Sequence, residues 1–572
     1  MKVSIACVAV GGLSVCVHAQ VSFTDATSDA GISCVYEGPG GAGAPFMGGG
    51  GAAGDFNRDG HEDLFILSGG DGPDHLYLNQ RDGTFTDRAI DAGLTRLHIG
   101  VGIAVGDVDN NGWLDVFIAS WGDISSPGPG QHLLYLNMGL DESGVPIFSE
   151  VAQQAGVGMT SPEVADGFGA AFGDYDLDGD LDLAVAGWMT DSYGNRLFRN
   201  DGVNESGVPL FTDVTESAIL TDMRTVHGFS PRFCDMNNDL YPELLWVADF
   251  RTSRHLINNG DGTFSDTTAL SGTGEDRNGM GNAAGDVNND GFCDWYVSSI
   301  QAGGIGNMLY LNQGDGSYTE TAQSAGVHQG GWGWGTVVVD INHDTLPDII
   351  ETNGWSQWDT HSRLFMNNGD LTFNESAIDA GMEHVAQGRG LITFDPDNDG
   401  DQDVLFLCYA DPAAYYRNHA ADDGGEGANW IRVRLDTSAD PRSAPDGVGA
   451  RVEAVTGELT QTRWMSTGSN YLSHSELSAH FGLAGAETID ELRVVWPTGL
   501  VRTLTAVPAN QTLTIPSCPV DYTGDGSADV NDVLAFLPLL LEGDRRADLD
   551  GNGVPSFDDV LALLAAFGDG CP

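Results

Sequence analysis

The chain repeats one acidic loop seven times, Asp-x-Asx-x-Asx-Gly-x-x-Asp, about once every fifty to seventy residues. The copies begin at Asp55, Asp107, Asp174, Asp235, Asp286, Asp340 and Asp395. Alternate acidic or amide positions put short oxygen donors on one side of a tight loop, and the central Gly permits the positive φ that closes it. Such a donor set suits a hard cation, and calcium is the expected cofactor. The expected ligands run Asp55, Asn57, Asp59, His61 and Asp63 in the first loop, and Asp107, Asp109, Asn111 and Asp115 in the second. Asp174, Asp176, Asp178 and Asp182 serve the third, and Asp235, Asn237, Asp239 and Glu243 the fourth. Asp286, Asn288, Asp290 and Asp294 serve the fifth, Asp340, Asn342, Asp344 and Asp348 the sixth, and Asp395, Asp397, Asp399 and Asp403 the seventh. Leu240 and Thr345 stand where the others have Gly, and Glu243 replaces the last Asp, so weaker sites are expected there. A fixed period of this length means repeated supersecondary units, and the repeat sets the fold.

Within each unit a Gly-rich strand leads into the loop and an apolar run such as Leu64-Phe-Ile-Leu67 follows it. A third strand ends in Asn, as in Leu76-Tyr-Leu-Asn79, and a Phe-x-Asp-like strand completes the unit. Four short strands make one propeller blade. Six repeats carry their own fourth strand, and the seventh lacks one. Val21-Ser22-Phe23-Thr24-Asp25 supplies a candidate for the missing piece, so this strand is expected to complete blade seven and close the ring. The fold class expected is mainly β: a seven-bladed propeller over residues 20–420, a small β-rich domain over 429–516 and a small paired-helix domain over 517–572.

Residues 20–420 resemble the FG-GAP/VCBS repeat propellers, which include the integrin α head. Asn429-Trp430-Ile-Arg-Val-Arg-Leu435, Gly447-Val-Gly449-Ala-Arg451-Val, His480-Phe-Gly-Leu483 and Val494-Val-Trp496-Pro497-Thr-Gly499 resemble the ASPIC/UnbV domain of the cartilage acidic protein family. The last segment carries two EF-hand-type loops, with Asp521, Thr523, Asp525, Ser527 and Asp532 in one, and Asp548, Asp550, Asn552, Val554 and Asp559 in the other. An apolar helical pattern follows each loop, and the pair is similar to a dockerin. The resemblance implies docking to a cohesin-like partner. Cys518 and Cys571 bracket this segment in matching Ser-Cys-Pro and Gly-Cys-Pro contexts and are expected to form a disulfide; Cys34, Cys234, Cys293 and Cys408 are as readily buried thiols as bridges.

Charge and the N-terminus narrow the function. With 83 acidic and 24 basic residues the formal charge is −59, so nucleic acid and anionic lipid are excluded as partners. Lys2 is the only lysine, which rules out lysine-dependent catalysis in a mature chain. Met1-Lys2, an apolar run from Val3 to Val17 and Val17-His18-Ala19 read as a signal peptide over residues 1–19, cleaved after Ala19. Secretion, a periplasmic or a cell-surface location is therefore expected, with no transmembrane segment.

Eight residues before the loops stand Asp166, His227, Asn278, Trp332 and Gln387, with Met47 and Ile99 in the other two repeats. Just past the second strands come Trp121, Trp188 and Trp355. These positions share the end of the propeller opposite the acidic loops. Flat rings beside acids and amides suit a glycan or protein ligand. The competing expectation is that Trp332 and Trp334 plug the central channel. No Gly-x-Ser-x-Gly or His-Glu-x-x-His motif is present, so no catalytic residue is expected. The expected function is that of an exported calcium-binding adhesion or recognition protein that binds a glycan or protein ligand on the propeller face and docks to a scaffold through its C-terminal module; the rival is a polysaccharide lyase or hydrolase using the same face.

Overall fold

The computed structural model describes residues 21–38, 44–121, 131–159, 165–301, 304–355, 361–421, 428–468, 470–549 and 554–569. Among these residues the first four hundred form seven four-stranded antiparallel sheets, a propeller-like arrangement. Six are simple meanders. The seventh takes its outer strand from the other end of the chain: Phe23–Asp25 pairs with Tyr416–Asn418, Phe23 lying opposite Asn418. That pairing closes the ring in register, so the sequence count of strands is accounted for.

The sheets pack face to face, each on its neighbour. Phe117 and Leu134 of sheet two meet Phe172, Leu183 and Phe198 of sheet three in one cluster. Leu64 and Phe85 of sheet one meet Ile392, Leu405 and Tyr415 of sheet seven in another. Burial on both faces explains why inner strands such as Gly100–Gly106 and Asp115–Ser120 are buried at every residue rather than at alternate ones. In sheets two, four, five, six and seven the innermost strand carries a bulge near its start. A bulge re-aims a side chain. Here it turns Val101, Phe229, Met280, Trp334 and Arg389 toward the shared axis.

Residues 429–516 form two further sheets, in which Asn429–Asp436 lies antiparallel to Ala479–Ala484 and parallel to Gln511–Pro516. Their own core includes Ile431, Val433, Phe481 and Leu492. This domain sits on the acidic-loop end of the ring. Gly482 lies so close to His343 and Asp340, and Gly400 to the Trp430 indole, that neither glycine leaves room for a methyl group.

One loop of the second domain enters the ring. Tyr471 and Leu472 join Val101, Phe168, Phe229, Met280 and Trp334 in a single buried cluster on the axis. The backbone of this loop bonds to several inner strands: Thr336 N to Asn470 O at 3.0 Å, Ile103 N to Leu472 O at 3.2 Å and Ala53 N to His474 O at 3.0 Å. Ser230 Oγ donates to the Tyr471 carbonyl at 2.8 Å. The channel is therefore filled from the second domain. Trp334 is part of the plug, and Trp332 packs half-buried against it.

The C-terminal segment forms two helices, Val530–Glu542 and Phe557–Asp569. Asp529 caps the first: its carboxylate accepts from Asn531 N, while Asp532 returns a bond to Asp529 N. Phe536 and Leu563 bury against Val520 and Ala547 between them. Cys518 is disulfide-bonded, and its expected partner Cys571 lies outside the described residues. Cys34, Cys234, Cys293 and Cys408 are buried free thiols.

Candidate metal centres and ligand face

All seven acidic loops adopt one backbone shape. The fourth residue is left-handed in each, from Arg58 at φ 54° to Asn238 at 62°. The sixth is left-handed too, and this includes Leu240 at 78° and Thr345 at 82°. The first aspartate shapes the turn with its own carboxylate. Asp55 accepts from Asp59 N at 2.9 Å and Gly60 N at 2.8 Å, and Asp286 from Asp290 N at 3.0 Å and Gly291 N at 2.8 Å. Asp107, Asp174, Asp235 and Asp340 repeat the pair.

The ninth residue ties the loop to its sheet, and the Asn that ends the third strand ties it to the next. Asp63, Asp115, Asp182, Asp294, Asp348 and Asp403 accept from the backbone N–H of Asn79, Asn137, Asn200, Asn312, Asn367 and Asn418 at 2.7–2.9 Å. The side-chain amide of each such Asn then donates to a backbone carbonyl in the preceding sheet's loop. Asn137 reaches Phe56 O at 3.0 Å, Asn200 reaches Val108 O at 3.0 Å and Asn258 reaches Tyr175 O at 2.8 Å. Asn312, Asn367 and Asn418 continue the series, and Asn79 closes it on Pro396 O at 2.8 Å. Seven clasps run round the ring. In sheet four Glu243 accepts from Met236 N at 2.7 Å, as Asp115, Asp182, Asp294 and Asp348 do from the matching N–H of their loops, and its longer side chain also accepts from Asn237 Nδ2 at 3.1 Å.

The donors fit a hard cation. Oxygens of Asp107, Asp109 and Asp115, of Asp174, Asp176 and Asp182, and of Asp395, Asp397 and Asp399 lie within 4.8 Å of one another. Asp63 Oδ2, Asp176 Oδ1 and Asp395 Oδ1 are buried without a hydrogen-bond partner among the described residues. Burial pushes the Asp107 and Asp340 carboxyls up to about 7, with the adjoining Asp109 and Asp344 carboxylates adding to the rise. Burial with neighbouring charge also holds Asp174, Asp182 and Asp348 well above the ordinary range. Buried carboxylates this close repel one another, and an oxygen-seeking cation such as calcium relieves the repulsion. Bound there it would supply positive charge and a common ligand for both ends of each loop.

Arginines supply part of that charge at two loops. In the seventh, Arg417 pairs with Asp397, and Arg432 Nη1 of the second domain lies 3.2 Å from Asp395 Oδ2 and 3.2 Å from Glu476 Oε2. Arg434 pairs with Glu62 beside the first loop. Arg432 and Arg434 alternate on the strand Asn429–Asp436, so both point to the same side. The sequence signal was present in Ile431-Arg-Val-Arg-Leu435, where a strand's polar face is wholly basic in an acidic chain.

In the C-terminal segment Asp521 accepts from Gly524 N and Gly526 N at 2.7 Å each. Asp532 accepts from Thr523 N at 2.9 Å, and Asp559 from Leu549 N at 2.7 Å and Ser556 N at 2.6 Å. The twelfth loop position thus closes both turns. Asp550 and Asn552 lie outside the described residues.

At the opposite end of the ring the expected ligand residues fall into two groups. His227 stands opposite Asp249 where their two strands meet the surface. The Trp188 ring lies 5.5 Å from His227, Trp188 Nε1 donates to Asp249 Oδ2 at 3.2 Å, and Asn278 Nδ2 donates to Asp249 Oδ1. Across the axis Trp332 and Trp355 stack 8° from parallel with centroids 5.0 Å apart. Gln387 is half-buried near them, its N–H on Asp411 Oδ2 at 3.3 Å, and Trp121 packs edge-on to Phe168 at 5.8 Å. Asp166 is a correction. It is fully buried, and its carboxylate accepts from Trp188 N, Met189 N and Ser192 Oγ, so it positions the Trp188 loop and cannot face a ligand. Below this end Arg389 is fully buried over the Trp334 ring at 4.3 Å, held by the carbonyls of Phe46 and Gly354.

Comparison with known proteins agrees with both main regions. The FG-GAP-like repeat family matches residues 55–118, 174–246 and 235–297, and the ASPIC and UnbV family matches 440–519. Cartilage acidic protein 1 of Xenopus tropicalis is 26% identical, covering 72% of this chain and 72% of that protein. The human protein is 24% identical, covering 72% and 70%. Among solved structures, the BP39L lectin of Burkholderia pseudomallei aligns at a TM-score of 0.38 with 10% identity, over 65% of this chain and 96% of the lectin. A Photorhabdus luminescens Tc holotoxin pore aligns at 0.30 with 12% identity, over 63% of this chain and 17% of that chain. Scores this low carry no weight. Residues 55–118 and 174–297 are thus FG-GAP-like repeats and 440–519 an ASPIC and UnbV domain, in a chain homologous to cartilage acidic protein 1.

Proposed function

We propose that this chain is an exported, calcium-binding recognition protein built on a seven-bladed propeller. Its open end binds a glycan or extracellular protein, and its C-terminal helices dock it to a scaffold. The observation that carries the reading is the asymmetry of the ring. The acidic end is covered by the second domain, whereas the other end leaves Trp188, His227, Trp332 and Trp355 half-buried around the axis. Tryptophan rings fixed by stacking, and at Trp188 by a hydrogen bond to Asp249, but not covered are ready-made contact area for a ligand.

Export rests on the N-terminal signal sequence, which lies outside the described residues. Among the described residues no helix is long and apolar enough to cross a membrane. Docking rests on two apolar rows. Val530, Leu534, Leu537 and Leu541 recur at helical spacing on the first C-terminal helix, with Leu541 86% exposed. Phe557, Leu561 and Leu564 do the same on the second, with Phe557 71% exposed. A cohesin-like surface is the kind of partner that covers paired rows of this sort.

A screen of the calcium-loaded protein against neutral and acidic polysaccharides and extracellular proteins tests the reading. Binding that leaves no new chain ends, and that Trp332→Ala with Trp355→Ala abolishes, is expected. New chain ends would favour a lyase or hydrolase. Binding unaffected by those substitutions would remove the ligand from this face.

A further inference from the structure

We infer that the turn at Asp249–Thr252, together with Trp188 and His227, is a subsite for a neutral sugar ring; this rests on the open-face reading above. Thr252 N bonds back to Asp249 O at 3.1 Å, and the two residues between them, Phe250 and Arg251, are left-handed at φ 56° and 62°. Two left-handed residues inside such a bond make a type I′ turn, whose usual occupants are Asn-Gly or Gly-Gly. At the matching place past their second strands, sheets one and seven put Gly70 and Ala410. Sheet four instead holds a bulky aromatic residue and an arginine in a backbone that disfavours both. Strain of this kind persists where the surroundings over-determine it, and it marks sites where a side chain is displayed for use.

What the turn displays is a ring. Phe250 is 54% exposed, yet it is fixed edge-on to His227 at 4.9 Å and lies 6.2 Å from Trp188. The polar groups beside it are also fixed. His227 Nδ1 lies 2.8 Å from the Trp188 carbonyl, an acceptor, so this nitrogen carries the proton. In the neutral ring Nε2 is then the acceptor, with no partner among the described residues. Asp249 accepts from Phe250 N, Trp188 Nε1 and Asn278 Nδ2 and keeps further lone pairs. A flat apolar plate flanked by acceptors matches a sugar, which presents a C–H face for stacking and hydroxyl donors at its edge.

Charge selects the class. Asp249 and the net charge of −59 oppose an anionic ligand. Arg251 is exposed and has no ion-pair partner among the described residues, which opposes a cationic one. A neutral hexose or pentose unit remains.

The experiment is calorimetric titration of the intact, calcium-loaded protein with cellohexaose, laminarihexaose, xylohexaose, a hyaluronan hexasaccharide and a lysine-rich peptide. Phe250→Gly is the informative variant, because glycine relieves the left-handed backbone while removing the plate. We expect one neutral oligosaccharide to bind, Phe250→Gly to weaken it by at least about tenfold with no fall in Tm, and Ile90→Ala on the exposed rim to have no effect. Sugar binding that survives Phe250→Gly but is lost in Trp355→Ala would overturn the subsite and leave the open-face reading standing. Binding of the hyaluronan or the peptide, lost in Phe250→Gly, would overturn the neutral-sugar assignment. If none of the five probes binds, the subsite falls, and the Trp332/Trp355 screen decides separately whether the face reading falls too.

Discussion

Tyr471 donates its hydroxyl to the Met47 carbonyl at 2.9 Å, although 424 positions separate the two residues. The bond crosses from the ASPIC and UnbV domain, through the axis of the ring, to the end of the propeller where the tryptophans stand. The plug is part of the propeller's own core, and the two regions are expected to fold as one unit.

Tyr471→Ala removes a fully buried ring packed on Phe229 at 5.7 Å and Trp334 at 5.2 Å. A loss of about 3 kcal/mol is expected. Replacing residues 466–476 by a glycine-rich linker should go further and split a single denaturant transition into two. A wild-type midpoint in Tyr471→Ala would mean that the loop merely rests in the channel.

The two loops without glycine store strain. Thr345 sits at φ 82° with a branched side chain, so Thr345→Gly should raise stability by up to about 1 kcal/mol in chemical denaturation. Leu240→Gly should gain less, because the Leu240 side chain packs near Gly499 of the second domain. Lower stability in Thr345→Gly would show that the side chain contributes more than the backbone costs.

Acid should rescue the calcium-free protein. The folded-state values of Asp107 and Asp340, about 7, lie above the ordinary 3.8 because burial and neighbouring carboxylates disfavour charge. Groups raised in the folded state bind protons there before they do in the unfolded chain. Their stability contribution is therefore complete below the unfolded value and is lost as pH rises through about 7. In EDTA, Tm should be higher near pH 5 than near pH 7.5, with calcium removing most of the difference. A chelated protein that loses stability steadily on acidification would contradict this.

Cys234 and Cys293 stand immediately before acid ligands of adjacent loops, and their Sγ atoms are 3.3 Å apart. Burial pushes the Cys293 thiol well up, so it is inert once folded. Folding in the presence of oxidised glutathione should close the pair, each protein disulfide leaving two reduced glutathiones. Intact mass lower by two hydrogens and two fewer titratable thiols in denaturant are expected; a full thiol count would exclude the bridge.

The repeat was legible because its signals are local. Spaced aspartates and the strand-ending Asn lie within a few residues of the turns and strands they mark, and the spare strand at Phe23–Asp25 was found by counting, although its partner Tyr416–Asn418 lies at the far end of the repeats. Leu76-Tyr-Leu-Asn79 marked a strand, but nothing in it told that Asn79 would clasp Pro396 in another sheet. Phe168, Phe229 and Trp334 each stand six residues before an acidic loop. The structure buries all three under Tyr471, because a partner distant in sequence fills the space. Phe250 was missed for a related reason: a type I′ turn without Asn or Gly has no composition signal. Asp166 was over-read, since an acid in a cleft is as readily a fastener for a loop as a ligand.

The claim on which the rest depends is that the acidic loops are built around cations. Thermal unfolding of the mature protein in calcium and in EDTA, with metal content measured on the same sample, tests it most directly. A large drop in Tm on chelation, with close to nine calcium ions per chain or slightly fewer if Arg417 and Arg432 replace the ion in the seventh loop, is the predicted result. An unchanged Tm, or a protein that carries no metal, would show that the clasps and arginines hold the ring alone.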